Sequence, residues 1–179
     1  MVPDRDKDAI GSGKGKEEME NPARLEQAEF FFQEGYRHQM NGDLDAAVEH
    51  YRRSIELYPT AEAHTFLGWA YSFQGKIDKA IQECEIAIQV DPDFGNPYND
   101  IAVYLMEKGE YDEAIPWLTK AMEAKRYEPR HYPHINLSRV YAKMGKTYEA
   151  IAEVRKALKI EPDHQGARRE LHRLIGMLN

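Results

Sequence analysis

The chain has 179 residues, 24 of them Lys or Arg and 31 Asp or Glu, for a formal net charge of −7. That balance argues against general nucleic-acid binding, and a single cysteine, Cys84, rules out an internal disulfide framework. No apolar leader and no apolar run of membrane-spanning length is present, so the reading is a one-domain cytoplasmic protein with no membrane partner.

Residues 1–21 are polar and low in complexity, too poor in apolar groups to offset their ordering entropy, and are expected to form a disordered tail. Their Gly11-Ser12-Gly13-Lys14-Gly15-Lys16 centre is not a phosphate loop. The spacing is one residue short, Glu17 replaces Ser or Thr, and no strand precedes it. Asn21 as N-cap and Pro22 at the first helical position open a helix to about Met40. Further helices are expected at about 44–58, 61–74, 77–90, 95–108, 111–125, 132–144 and 147–160. The pair over 61–94 shows the pattern: Ile77, Ala80, Ile81, Cys84, Ala87 and Ile88 recur at helical spacing, Gly75 stops one helix and Pro92 the next. Asp163 or His164 opens a last helix, in which Leu171, Leu174, Ile175 and Leu178 make an apolar stripe. Two readings of it stand, a cap over the preceding pair or a docking helix for a partner or second copy.

Four marks of that pair recur along the chain. Gly68, Gly75, Ala80 and Pro92 become Gly35, Gly42, Ala47 and Pro59 on one side. On the other they become Ala102, Gly109, Ala114 and Arg126, then Ser138, Gly145, Ala150 and Pro162. A period near 34 with two helices per copy is the signature of a solenoid. At these residues the chain resembles the tetratricopeptide repeat (TPR) family. The resemblance implies an all-α, right-handed solenoid of four repeats within 22–162, at about 28–60, 61–94, 95–130 and 131–164, with 163–179 as the capping helix. It also implies that the small residues at repeat positions 8 and 20 let paired helices approach. Position 27 is Ser54, Ala87, Ala121 and Ala157, and position 24 is Tyr51, Cys84, Leu118 and Val154.

The chain departs from the family in places. Position 4 is Phe31, His64, Tyr98 and His134 where the family favours Trp or Leu. Arg126 stands where the third repeat should close with proline, and two extra residues there should lengthen the helix or loop. Pro116 inside a helix removes one backbone donor and predicts a mild bend.

In the TPR family the concave wall binds partners, and a helical wheel places positions 2, 5, 9, 12 and 13 of each first helix toward it. Those positions hold Phe32, Tyr36, Met40, Trp69, Phe73, Val103 and Met106, an apolar stripe where a solvated face would be polar. Asn96 and Asn99 are expected to pair with the backbone of an extended peptide, and Arg139 with a carboxylate. The Lys/Asn/Arg carboxylate clamp of chaperone-binding relatives is missing, since Phe32, Tyr36 and Phe66 occupy positions it uses. His131 and His134, near Glu128, are better read as packed or capping side chains than as metal ligands, and no nucleophile–base pattern appears.

The resulting expectation is a non-enzymatic module, without cofactor or metal, that binds a peptide or helix of another protein. A second reading is a self-assembling homo-oligomer. Residues 23–124 carry −11 and residues 125–179 carry +6, so one copy's acidic body would meet the next copy's basic end. The N-terminal tail and another protomer are the alternative occupants of the trough.

Overall fold

Four glycines one period apart, Gly42, Gly75, Gly109 and Gly145, adopt φ between +74° and +82°, backbone that residues with a Cβ avoid. Each reverses the chain between the two helices of a pair. The computed structural model describes residues 21–178. Among them the helices are α1 (Pro22–Met40), α2 (Leu44–Leu57), α3 (Ala61–Phe73), α4 (Ile77–Val90) and α5 (Asn96–Lys108). Then come α6 (Tyr111–Glu123), α7 (Tyr132–Lys143), α8 (Thr147–Ile160) and α9 (Gln165–Gly176), with no strand. The fold is all-α, and the expected tail and its glycine-lysine stretch lie outside the described residues, apart from Asn21. The chain divides between Pro59 and Thr60 into two compact units.

The first unit is the α1–α2 pair. Asn21 caps α1, its side-chain oxygen accepting from the Ala23 amide at 3.0 Å. Gly35 is what lets α2 come close, because a Cβ there would sit 2.7 Å from the Tyr51 ring. The buried Tyr51 hydroxyl donates to Gln39 Oε1 at 2.8 Å, and burial pushes its pKa up. Ser54, in place of an alanine, donates to the Ala28 carbonyl at 2.8 Å, so the polar substitution is satisfied.

The second unit stacks α3–α4, α5–α6 and α7–α8, with α9 packed on α8. In each pair the positions 20, 24 and 27 are fully buried, from Ala80, Cys84 and Ala87 to Ala150, Val154 and Ala157. A Cβ on Gly68 would meet the Ala80 carbonyl oxygen at 3.0 Å and Cys84 Sγ at 3.3 Å. Small residues at 8 and 20 thus do bring the paired helices together here. Cys84 is a buried thiol with its pKa pushed up by that burial, inert as a nucleophile.

α6 ends at Glu123, within two residues of the expected end, and runs on through Pro116, so of the two expected outcomes the extra residues of the third repeat enter the loop that follows. One local expectation needs correcting. In α9, Leu174 is fully buried and Leu171 packs on the Ile135–Ala150–Ile151–Val154–Ala157 cluster, with Ala167 as the third contact. Ile175 and Leu178 face outward instead. The helix starts at Gln165, with His164 Nδ1 accepting from the Ala167 amide at 3.0 Å.

The loop after α6 explains why Arg126 replaces a proline. Its amide donates to the Asp93 carbonyl at 2.9 Å, and the Gly95 amide donates to the Arg126 carbonyl at 2.9 Å. Proline has no hydrogen to give. The guanidinium then reaches Asp91 Oδ2 and Glu62 Oε1, each at 2.6 Å, and lies 4.3 Å from the Phe94 ring centre. Among the described residues, no helix is long and apolar enough to cross a membrane.

Candidate functional site

Helical geometry sorts the five wall positions into rows of different depth. In the second unit, position 5 is buried in all three repeats, as Thr65, Asn99 and Ile135. Position 12 is half-buried, as Ser72, Met106 and Ala142. Positions 9 and 13 reach the surface. They are Trp69 and Phe73 on α3, 39% and 65% exposed, half-buried Val103 and exposed Glu107 on α5, and exposed Arg139 and Lys143 on α7. Asn96 is half-buried in the first turn of α5. Because α3 touches α5 and α5 touches α7, these equivalent positions share one face. Phe66 braces Trp69 edge-on, with ring centres 5.3 Å apart.

The first unit repeats the scheme on α1. Phe32 is half-buried against Tyr51, with centroids 5.7 Å apart, while Tyr36 and Met40 are 42% and 55% exposed.

Asn99 is buried. Its amide is engaged within the protein: Oδ1 accepts from Asn136 Nδ2 at 2.9 Å, and Nδ2 donates to Asp100 Oδ1 at 3.4 Å. Arg139 Nη1 in turn donates to Asn136 Oδ1 at 3.2 Å. A polar line, Asp100–Asn99–Asn136–Arg139, therefore links α5 to α7, and a peptide would have to break it to use Asn99. Burial pushes the Asp100 carboxyl up to about 7. Asp100 and Asn136 both stand at position 6, next to the row considered from the sequence. Two polar residues at one register position were the signal to follow.

At the far end, Arg139, Ala142, Lys143, Glu170 and Arg173 line an open cavity of about 280 Å³ between α7 and α9. The Arg173 guanidinium grips both Glu170 oxygens, at 2.7 and 2.8 Å, and holds that carboxyl below its ordinary pKa.

His131 and His134 do not converge on one another. His134 Nδ1 lies 2.7 Å from Glu153 Oε2, whereas His131 packs on the Tyr132 and His164 rings. Burial, then the neighbouring His164, lower the His131 pKa. Among the described residues no three His, Cys, Asp or Glu side chains are placed to hold a metal ion.

Family models described as tetratricopeptide repeat match residues 32–97 and 67–129, and another of the same description matches 133–164. The small glutamine-rich tetratricopeptide repeat-containing protein 2 of Mycosarcoma maydis is 33% identical over 100 residues, 55% of this chain but only 28% of its own length. The photosystem I assembly protein Ycf3 of a Prochlorococcus marinus strain is 30% identical over 122 residues, 62% of this chain and 70% of its own length. Among solved structures, Pseudomonas aeruginosa pilF superposes with a TM-score of 0.81 at 24% identity, over 87% of this chain and 70% of that one. YrrB, described as a TPR protein with an unusual peptide-binding site, superposes at 0.65 and 17% identity, over 83% and 75%. At these identities the two structures speak for the fold alone.

Proposed function

Since the chain belongs to the tetratricopeptide repeat family, we propose that it is a non-enzymatic interaction module whose second unit binds a peptide or helical segment of another protein on the face of α3, α5 and α7. One observation carries the reading: Trp69 and Phe73, one helical turn apart, stay exposed on a face whose neighbouring row is packed. Large aromatic groups left in water on a rigid support supply binding energy with little ordering cost, which is how partner surfaces gain affinity. Val103 and Met106 continue that apolar surface, and Arg139 ends it with a fixed charge. On the first unit, Phe32, Tyr36 and Met40 would serve the same purpose on α1. Asn96 remains available to orient a bound backbone; Asn99 serves better as a brace for Arg139. The name of one relative, an assembly protein, accords with a binding role.

The test is selection of peptides from a displayed library by the full chain, repeated with Trp69→Ala/Phe73→Ala. Peptides taken by the wild type and lost by a variant of unchanged helicity support the reading. Equal capture by both sinks it.

The alternative, a head-to-tail homo-oligomeric scaffold, rests on the −11 and +6 charges of residues 23–124 and 125–179. Sedimentation separates it, because an assembly held by opposite charges loses mass as salt rises and a monomeric binder does not.

A further inference from the structure

We infer that the second unit's face is polarised, and that its occupant is an extended protein segment with an apolar anchor at one end and acidic side chains about five to six residues away. The inference rests on the binding reading above and adds the chemistry of the partner.

Polarity follows from what successive repeats place at two register positions. Positions 9 and 13 read Trp69 and Phe73 on α3, Val103 and Glu107 on α5, and Arg139 and Lys143 on α7. The face thus passes from aromatic, through mixed, to cationic. Arg173 of α9 walls the cavity beside Arg139 and Lys143, its own charge offset by Glu170. The one carboxylate there, Glu170, is spoken for by the two-bond fork from Arg173. Arg139 is held by Asn136, which fixes the guanidinium in place and spends one of its five donors. A positioned guanidinium beside an ammonium and an open cavity fits carboxylates better than any neutral group.

Glu107 adds the discrimination. It stands between the two ends at the same register as Phe73 and Lys143, so an acidic residue seated over α5 would be repelled. Only an acid that reaches α7 escapes that contact. Packed helices lie about 8–10 Å apart, so two steps from α3 to α7 span about 16–20 Å. An extended chain advances about 3.3 Å per residue, which puts the acid about five to six residues from the anchor.

The experiment uses the full chain and fluorescein-labelled peptides in a Gly/Ser background. Each carries a Trp-Leu anchor and a Glu-Glu pair two, four, six, eight or ten residues away, beside Gln-Gln controls. Anisotropy titrations at low salt should show the six-residue spacing binding about tenfold tighter than its Gln-Gln control and than the two-residue spacing, as expected for one or two charge-assisted contacts. Arg139→Glu/Lys143→Glu, and Lys143→Glu alone, should erase that preference while Gln-Gln peptides bind as before. Trp69→Ala/Phe73→Ala should weaken every peptide. If acidic and neutral peptides bind alike but still need Trp69 and Phe73, the polarity is wrong and the binding face stands. Indifference of all peptides to Trp69 and Phe73 sinks both. A single-stranded RNA that displaces the acidic peptide and needs Arg139 and Lys143 equally overturns the assignment in favour of nucleic acid, and no binding by any peptide overturns it outright.

Discussion

His64 Nδ1 lies 2.7 Å from Glu83 Oε2, a bond between the first and second helices of one repeat. The same two register positions meet again as His134 and Glu153, also at 2.7 Å. In the other copies the contact is aromatic: Phe31 stacks on His50 with centroids 6.0 Å apart, and Tyr98 leans on Trp117 at 6.1 Å. Three residue types at position 4, Phe, His and Tyr, are thus each matched by a partner nineteen residues on. The contact fastens α3 to α4 and α7 to α8; in the first of these it lies one helical turn along the seam from the Gly68–Ala80 approach, with Glu83 Cβ beside Gly68.

Treating the pair as a unit predicts strong non-additivity. Glu83→Leu strands a buried imidazole, and His64→Phe leaves a half-buried carboxylate without its partner; each should cost about 1–3 kcal/mol. His64→Phe/Glu83→Leu together replace the polar contact by an apolar one and should return close to wild-type stability. Denaturant melts of the four proteins give the coupling, which should be at least about 2 kcal/mol. Additive losses would show that the two side chains act separately.

In the second such pair, Glu153 supplies a pH dependence. Burial raises its pKa, but hydrogen bonds from His134 and Lys156 outweigh burial and hold it below the usual 4.5. A lowered folded pKa means the contribution is present above about pH 4.5 and is lost as pH falls through the folded value. Glu153→Gln should therefore lower Tm at pH 7 by several degrees, with the gap closing as the pH falls from the usual 4.5 through the lower folded value. A gap that persisted in acid would place the loss in packing instead.

The helices, their glycine stops and the small residues at positions 8 and 20 were legible because they depend on spacing within one repeat. What depended on packing between repeats was not. Asn99 looked free to bind a peptide because the wheel places position 5 toward the wall, yet contact between α5 and α7 buries that row and hands its amide to Asn136. Ile175 has the right spacing to join Leu171 and Leu174, but the packed face of α9 runs through Ala167, Leu171 and Leu174 and leaves Ile175 exposed. The partners of His64 and His134 were equally hidden, since nothing local in the sequence ties position 4 to position 23.

Asp100 is the clearest case of a cost set by that packing. Burial raises its carboxyl from 3.8 to about 7, with only a hydrogen bond from Asn99 to oppose it. A raised folded pKa works in the opposite sense to Glu153: the stability contribution is whole below about pH 4 and is lost as pH rises through about 7. The penalty at pH 8 is at most about 4 kcal/mol. Asp100→Asn keeps the shape without the charge, so it should match the wild type at pH 4 and melt several degrees higher at pH 8. Equal melting at pH 8 would mean the carboxylate is solvated in the folded chain.

Restoring the family's proline at Arg126 should damage this protein. Arg126→Pro removes the amide hydrogen that bonds Asp93 and, with the side chain, both contacts to Asp91 and Glu62. Arg126→Ala removes the side-chain contacts alone. Since that side chain is half exposed, its ion pairs are screened and their loss should cost no more than about 1 kcal/mol. The proline should cost distinctly more, because it also orphans the Asp93 carbonyl and disturbs the chain where it pairs with Phe94 and Gly95. Gly95→Ala probes the other side of the same contact. Its Cβ would fall 2.4 Å from Tyr127 Cβ, so the loop must move, at about 1–3 kcal/mol. Urea melts should rank Arg126→Ala as the mildest of the three. Equal losses for Arg126→Ala and Arg126→Pro would assign the whole effect to the guanidinium and none to the backbone bond.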